Sequence, residues 1–298
     1  MKTGKRTVSL VLGSGGARGL AHIGIIHWLE EHEYEIRAIS GASMGALIGG
    51  IYAAGKLDLY TNWVSALRKR DVLGLLDFSF SKSGIFSGDR IMQTLRDLLG
   101  DMNIENLPIA FTAVATDLDA EKEIWINEGS LFDAIRASIS IPSVFTPVRY
   151  KGHLLVDGGL LNPVPIAPTV YDVTDLTIAV NLRGKREKLP RPAGSPAARD
   201  KDPGYQVAIR QFVESLQEKL LPENEPRQKG KETVTVVDLV NRSFETMQDT
   251  ITRFKMAAYN PDFIIDIPAN ACTTFEFYRA EEMIALGYER AERELAQL

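Results

Sequence analysis

The sequence predicts an α/β fold in which helices cover a mainly parallel β-sheet. The first 55 residues alternate between short β-rich runs and segments with helical spacing, and each predicted strand passes into its helix through a glycine-containing turn. Parallel strands need crossover connections between them, so this alternation is typical of a parallel sheet. Further β-rich runs follow later in the chain, which indicates that the sheet extends beyond the first two strands.

Each predicted element rests on a local pattern. The first strand, 6–12, is β-rich and stops at Gly13, and the helix at 17–32 spaces its apolar residues as one buried helix face requires. The second strand, 36–40, leads into a helix at 44–55 that ends at a glycine. Later strands are predicted at 109–116, 122–127, 176–182 and 262–267, and later helices at 131–140, 236–257 and from Phe275 onwards.

Composition changes at residue 183, where a stretch rich in proline, glycine and charge begins. Its centre, 207–221, has the apolar stripe of an amphipathic helix. We predict a core at 1–182, a flexible insertion at 183–232, and a helix–strand–helix segment at 233–298 that completes the core domain. The insertion is either a lid that contacts lipid or a plain surface element.

The overall composition excludes several classes of protein. The chain of 298 residues is 45% hydrophobic and 24% charged, and its net charge of −5 offers no general basic surface for nucleic acid. The single cysteine, Cys272, leaves no intrachain disulfide. No apolar run reaches the roughly 18–20 residues that a membrane span requires. The N-terminal apolar run at 8–12 is also too short for the core of a secretory signal, which usually has about 7–15 residues. We expect a cytoplasmic protein, with or without peripheral contact at the inner face of the membrane.

A serine lies between small residues where the second strand meets its helix. Gly41, Ala42, Ser43, Met44 and Gly45 form the pattern G-x-S-x-G. Neighbours without bulk let a serine hydroxyl stand on a sharp strand-to-helix turn, which is the arrangement of a nucleophilic serine. Close packing of a helix on a sheet is the alternative explanation for the small residues.

The glycine loop at 12–19 follows the first strand and opens the first helix. It lacks the G-K-[S/T] ending of a nucleoside-triphosphate loop, and its glycines do not match a dinucleotide fingerprint. Exposed amides of Gly15 and Gly16 at a helix N-terminus would suit an oxyanion hole, and a simple tight turn is the alternative. Both this loop and the serine turn emerge at the carboxyl ends of strands, where active sites of parallel sheets lie.

Two residues are candidates for the general base that a nucleophilic serine needs. His153 is the only histidine after Ser43, and Asp117 or Asp119 would then have to orient it. Asp157, which ends an apolar run and precedes two glycines, is the other candidate. A carboxylate held in a dry pocket becomes a stronger base, because desolvation raises its pKa.

These motifs together resemble the patatin-like phospholipase family. The resemblance rests on the loop GSGGARG, the turn GASMG and the triplet DGG, in this order. It extends to ASISIPSVFTPV at 137–148, and the segments GLAHIGIIHWLEE and FYRAEEMIALGYERA are similar to bacterial members, including the branch related to neuropathy target esterase. Most of the chain is covered, except about 183–232.

The resemblance implies a three-layer α/β/α fold with a mainly parallel central sheet and a serine on a strand–helix nucleophile elbow. It implies a Ser–Asp dyad without metal or cofactor, in which Ser43 is the nucleophile, Asp157 the base, and the Gly15 and Gly16 amides the oxyanion hole. The supporting loop positions would be Gly13, Arg18, Gly19, Gly41, Gly45, Gly158 and Gly159. Ser14 departs from the glycine that many members carry, but it precedes the oxyanion pair.

The implied activity is acyl-ester hydrolysis on lipids, of the phospholipase A or lysophospholipase type. Substrates would be phospholipids, lysophospholipids or other acyl esters, with peripheral membrane contact as an option and no role for nucleic acid. The apolar segment 73–88 either lines the lipid pocket or packs in the core. A catalytically silent regulatory or scaffold protein that keeps the hydrolase fold is the alternative function.

Overall fold

The computed structural model of the chain describes residues 5–75, 77, 84–189 and 236–296. The strands are β1 (Thr7–Leu12), β2 (Glu35–Ala42), β3 (Gly84–Phe86), β4 (Ala110–Asp117), β5 (Lys122–Ile126), β6 (Ser143–Phe145), β7 (Val148–Tyr150), β8 (His153–Asp157), β9 (Leu176–Gly184) and β10 (Phe263–Pro268). The helices are α1 (Ala21–Glu31), α2 (Met44–Ala53), α3 (Leu57–Ser65), α4 (Lys69–Leu75), α5 (Asp89–Leu99), α6 (Leu131–Ser138), α7 (Val236–Tyr259) and α8 (Ala280–Leu295).

The central sheet has the strand order β10-β9-β1-β2-β4-β8-β7, with β5 paired to β4. The five strands from β10 to β4 pair in parallel, while β8, β7 and β5 are antiparallel to their neighbours. All six residues of β1 are buried, as expected for a parallel strand covered on both faces. The predicted α/β fold with a mainly parallel central sheet is confirmed.

Strands β2 and β8 meet end to end on the same side of β4. Ala115–Asp117 of β4 pair with β5 and also with β8, so these two strands flank β4 on opposite sides. Ala113 and Val114 pair with β5 and also with β2, which places β2 on the side of β8. Ala42 of β2 lies opposite Val114, and Asp157 of β8 lies opposite the next residue, Ala115. The sheet therefore brings the end of β2 to the end of β8.

Helices α1 and α8 pack with their backbones in close contact. A Cβ atom on Gly24 would clash with the Ile284 carbonyl, and one on Gly287 would clash with the Ala21 carbonyl. Two glycines, one on each helix, thus allow a crossing closer than side chains permit. The two segments that resemble bacterial relatives are the two halves of this one packing interface.

Several elements differ from the sequence-based expectations. The first helix opens with a 3₁₀ turn, Gly16–Leu20, before α1 begins, and a second 3₁₀ turn, Phe277–Arg279, precedes α8. Helices α3, α4 and α5 were not predicted. The last of these carried a readable signal, because Met92, Leu95 and Leu99 recur at helical spacing and are buried.

The chain divides into two compact units, one of 1–189 with 248–298 and the other of 190–247. In the first unit, β9 continues to Gly184, and Glu187 forms a bidentate ion pair with Arg290. The amphipathic segment predicted at 207–221 lies outside the described residues, as does part of the apolar segment 73–88. Among the helices that the structure describes, none has both the length and the apolar character needed to cross a membrane.

Candidate active site

Ser43 occupies the sharp turn between β2 and α2. Its backbone angles, φ 55° and ψ −120°, are unusual for a residue with a side chain and are of the strained kind found at functional turns. The turn lies tightly against the sheet, since a Cβ atom on Gly45 would clash with the Leu12 carbonyl oxygen at the end of β1. The small residues around Ser43 therefore serve both a strained turn and a close helix–sheet contact.

The glycine loop after β1 lies against this serine turn. A Cβ atom on Gly19 would clash with Cβ of Met44, the residue that follows Ser43. The loop also reaches the aspartate turn, because a Cβ atom on Gly159 would lie 2.6 Å from the Ser14 hydroxyl oxygen. The three motifs that lie far apart in the sequence are thus neighbours in space.

Within the glycine loop, two amides stand out. The N–H groups of Gly13, Ser14 and Ala17 each donate to a backbone carbonyl, at 3.1, 2.8 and 2.9 Å respectively. In the part of the chain that the structure describes, the amides of Gly15 and Gly16 have no such acceptor. These two amides are the ones predicted to form the oxyanion hole.

Asp157 ends β8 at the point where β2 ends in the serine turn. The residue is 5% exposed, and its Oδ1 atom accepts a hydrogen bond of 2.7 Å from the Gly159 amide. Its Oδ2 atom is buried and has no hydrogen-bond partner that meets distance and angle criteria among the described residues. Burial raises the pKa of Asp157 to about 6, against the lowering effect of hydrogen bonding with the Ser43 hydroxyl and the Gly159 amide. The Ser43 hydroxyl is thus close enough to Asp157 to lower the pKa of its carboxyl group.

His153 lies away from this centre. Its Nδ1 atom pairs with Asp117 Oδ2 at 2.6 Å, so Asp117, not Asp119, is its acidic partner. His153 begins β8 and Asp157 ends it, so four residue steps along an extended strand separate them by about 13 Å. Sheet geometry thus brings Asp157, and not His153, to the serine turn.

Two serines near the end of α6 hold the backbones of both central residues. Ser138 Oγ accepts a hydrogen bond of 2.9 Å from the Ser43 amide and donates to the Val114 carbonyl at 2.6 Å. The Ser140 carbonyl accepts from the Asp157 amide at 2.9 Å. The sequence analysis did not single out either serine, and their only signal was their place in the segment 137–148.

Arg136 supports this region from the interior. It donates to the Ser140 hydroxyl at 2.6 Å, to the Thr146 carbonyl at 3.0 Å and to the Ser87 carbonyl. Burial lowers the pKa of this guanidinium, despite the raising effect of Asp89 and Asp77. The arginine therefore ties the segment that follows α6 to the end of β3.

The remaining predicted loop residues have structural roles. Arg18 points to the chain after β10, where it donates to the Ala269 and Cys272 carbonyls at 2.9 and 3.2 Å. Gly13, Gly41 and Gly158 lie at close backbone contacts that a side chain would disturb. The described residues contain no cluster of three or more histidine, cysteine, aspartate or glutamate side chains arranged to hold a metal ion.

A family profile described as patatin-like phospholipase matches residues 10–170, more than half of the chain. This chain belongs to the patatin-like phospholipase family. An uncharacterised NTE family protein of Mycobacterium tuberculosis is 39% identical over 327 residues, covering 94% of this chain and 89% of its own length. The neuropathy target esterase sws of Drosophila persimilis is 34% identical over 166 residues, covering 53% of this chain and 12% of that protein.

Among solved structures, VipD from Legionella pneumophila resembles the chain more distantly, with a TM-score of 0.45 and 15% identity over 98% of this chain and 67% of that one. The family profile covers the end of β1, the glycine loop, the serine turn and the aspartate turn. Membership of the patatin-like phospholipase family supports a lipid hydrolase function in general terms.

Proposed function

We propose that this patatin-like phospholipase is a serine acyl-ester hydrolase that acts on lipids through a Ser43–Asp157 dyad. The proposal rests above all on the meeting of β2 and β8, which brings the strained serine and the buried aspartate to adjacent positions along β4. A nucleophile on a strained turn beside a desolvated base is the arrangement that serine-type catalysis requires.

In the proposed reaction, Ser43 Oγ attacks the ester carbonyl carbon while its proton passes to Asp157. The carbonyl π electrons move to the oxygen, and the amides of Gly15 and Gly16 stabilise this oxyanion. The tetrahedral intermediate collapses, the C–O bond to the alcohol breaks, and Asp157 returns the proton to the departing oxygen. Asp157 then takes a proton from water, whose oxygen attacks the acyl-enzyme carbonyl to form a second tetrahedral intermediate. This intermediate collapses, the C–O bond to Ser43 breaks, Asp157 returns the proton to Ser43 Oγ, and the fatty acid is released.

The raised pKa of Asp157 suits this role. An aspartate in water has a pKa near 3.8 and is a weak base, whereas a value of about 6 makes the carboxylate a better proton acceptor. At neutral pH the group is still mostly ionised, so it is ready to accept the serine proton. Burial thus makes the Asp157 carboxylate a stronger base and still leaves most of it ionised at neutral pH.

Phospholipids, lysophospholipids and other acyl esters are the proposed substrates, with phospholipase A or lysophospholipase activity. The likeness to a neuropathy target esterase supports an ester of this kind. A fluorophosphonate probe tests the function directly, because it phosphonylates an activated serine. We expect labelling at Ser43, hydrolysis of one or more esters in a panel of phospholipids, lysophospholipids and short acyl esters, and loss of both in Ser43→Ala.

The base is tested in the same assays. We expect Asp157→Asn to lower kcat by about two orders of magnitude or more, since general-base catalysis contributes on this scale. His153→Ala, the matched control on the same strand, is expected to keep wild-type activity. A folded wild-type protein that neither reacts with the probe nor hydrolyses any ester would instead support the silent scaffold.

A further inference from the structure

His22 is a fully buried histidine on α1 that lies outside the proposed dyad. Its Nε2 atom is 2.9 Å from the Gly13 carbonyl oxygen, and its Nδ1 atom has no hydrogen-bond partner among the described residues. A carbonyl oxygen can only accept, so Nε2 carries the proton and donates. Burial lowers the pKa of His22 to about 4, and the ring is therefore neutral at physiological pH.

The hydrogen bond from His22 acts on one particular peptide group. The Gly13 carbonyl and the Ser14 amide belong to the same planar unit, whose two ends are both held. His22 binds its oxygen, and the Pro163 carbonyl accepts from its N–H at 2.8 Å. A peptide plane held at both ends cannot rotate, so its direction is set.

The next two peptide groups carry the amides of Gly15 and Gly16, for which the described chain offers no backbone acceptor. The peptide after them is held again, because the Ala17 amide donates to the Thr274 carbonyl at 2.9 Å. The two available amides thus lie between a peptide fixed by His22 and a peptide fixed by Thr274. Such preorganised donors cost no reorganisation when charge develops on a bound oxygen.

We propose that His22 is a positioning residue for the oxyanion hole, which it orients by donating a hydrogen bond to the Gly13 carbonyl. This inference rests on the proposed function, because it assigns a role within the same site. His22 touches no substrate and moves no proton. Its neutral N–H holds the first peptide of the glycine loop in the direction that aims the following amides.

Kinetics of matched variants test the proposal. His22→Leu removes the donor, and His22→Gln keeps one, because the glutamine amide nitrogen reaches about the place of Nε2. We expect His22→Leu to lower kcat on a soluble ester by about 10- to 100-fold, the scale of a small displacement of catalytic groups, with little change in KM. A trifluoromethyl ketone, which forms a tetrahedral adduct with the serine, should lose affinity by a similar factor. His22→Gln should recover most of both losses.

The control is His27→Leu, a change of the same type five residues along α1 at a partly exposed position. It should leave kcat, KM and ketone affinity unchanged. The proposal is wrong if His22→Leu keeps wild-type kcat, if it raises only KM, or if Gln and Leu are equally impaired. Equal impairment would show that His22 acts through packing and not through its N–H.

A measurement on the unmodified protein covers the case in which the variants fail to fold. Nitrogen-15 NMR of the imidazoles should show His22 as the neutral Nε2–H tautomer from about pH 5 to pH 8, since its pKa lies near 4. A charged ring or an Nδ1–H tautomer at neutral pH would overturn the inference. This readout needs no activity, whereas fluorophosphonate labelling of Ser43 in the wild type tests the proposed function by itself.

Discussion

Asp157 is a carboxylate whose surroundings favour its protonated form. Burial is the larger effect on its pKa, and hydrogen bonding with Ser43 and Gly159 offsets only part of it. Such groups are common at functional sites, where a shifted pKa is matched to a chemical task. The same shift has a consequence for activity and a consequence for stability.

The activity consequence is a pH profile. The proposed dyad needs ionised Asp157, so kcat/KM for a soluble ester should fall as pH drops through about 6 and should level off above pH 7. Initial rates from about pH 5 to pH 8 measure this. His153→Ala should show the same profile as the wild type. A profile that is shifted or abolished in His153→Ala would contradict Asp157 as the titrating base.

The same ionisation that supports activity lowers the stability of the folded protein. The pKa of Asp157 is about 6 in the folded protein and near 3.8 in the unfolded chain. As pH rises between these two values the unfolded chain loses its proton first, so the folded state loses stability, and the loss is complete above about pH 6. Asp157→Asn should therefore raise the free energy of unfolding at pH 8 by up to about 3 kcal/mol, which is the pKa shift converted to energy. The gain should disappear as pH falls towards 4, where aspartate is neutral in both states. Urea unfolding at both pH values checks this, and a gain that persists at low pH would refute it.

At the scale of helices and strands, glycines allow close backbone contacts between neighbouring elements. Helix α2 lies against β1 at Gly45, and α1 lies against α8 at Gly24 and Gly287. In each case a carbonyl oxygen occupies the space that a side chain would need. If a side chain replaced Gly45, α2 would have to move and would carry the serine turn with it. If one replaced Gly24 or Gly287, α1 or α8 would have to move, and α1 carries His22.

The packing of α2 can be tested with one methyl group. Gly45→Ala should destabilise the protein by about 3 kcal/mol or more, because a Cβ atom there meets a main-chain oxygen and cannot be relieved by a rotamer change. Gly74→Ala is the matched control. Nothing lies within 4 Å of a Cβ atom at that helical position, so alanine should stabilise by up to about 1 kcal/mol. Equal unfolding midpoints for the two variants would contradict this account.

At the scale of the whole molecule, the sheet and the candidate site belong to the first compact unit. This unit comprises 1–189 and 248–298, and β9 and β10, which lie on either side of the second unit in the sequence, pair in parallel within it. The core draws on residues from both stretches. A single core built in this way is expected to fold without the intervening residues.

Deletion of 190–235, replaced by a short glycine–serine linker, tests this expectation. We expect one cooperative thermal transition and retained hydrolysis of a small soluble ester, because all strands of the central sheet are kept. If the insertion predicted at 183–232 is a lid, activity on aggregated phospholipid should change while soluble-ester hydrolysis stays constant. Equal changes on both substrates would favour a plain surface element.

Much of the fold was predictable because its signals are local. The first strand, the glycine loop and the serine turn each show a pattern in a few residues, and the predicted strands at 109–116 and 176–182 lie within two residues of β4 and β9. Helix α5 was missed although its apolar spacing is regular. The roles of Ser138 and Ser140 were not predictable from their own residues, since a serine near a helix end has no local pattern that indicates which distant backbone groups it will bind.

By itself, the sequence determined which residues can form the turns of the site, because glycine requirements and strand–helix alternation are properties of short segments. Only the tertiary structure decided which of them meet. Whether His153 or Asp157 reaches Ser43 depends on β8 being antiparallel to β4 and ending opposite Ala115. Such a register is set by contacts between residues far apart in the chain, and no local pattern carries that information.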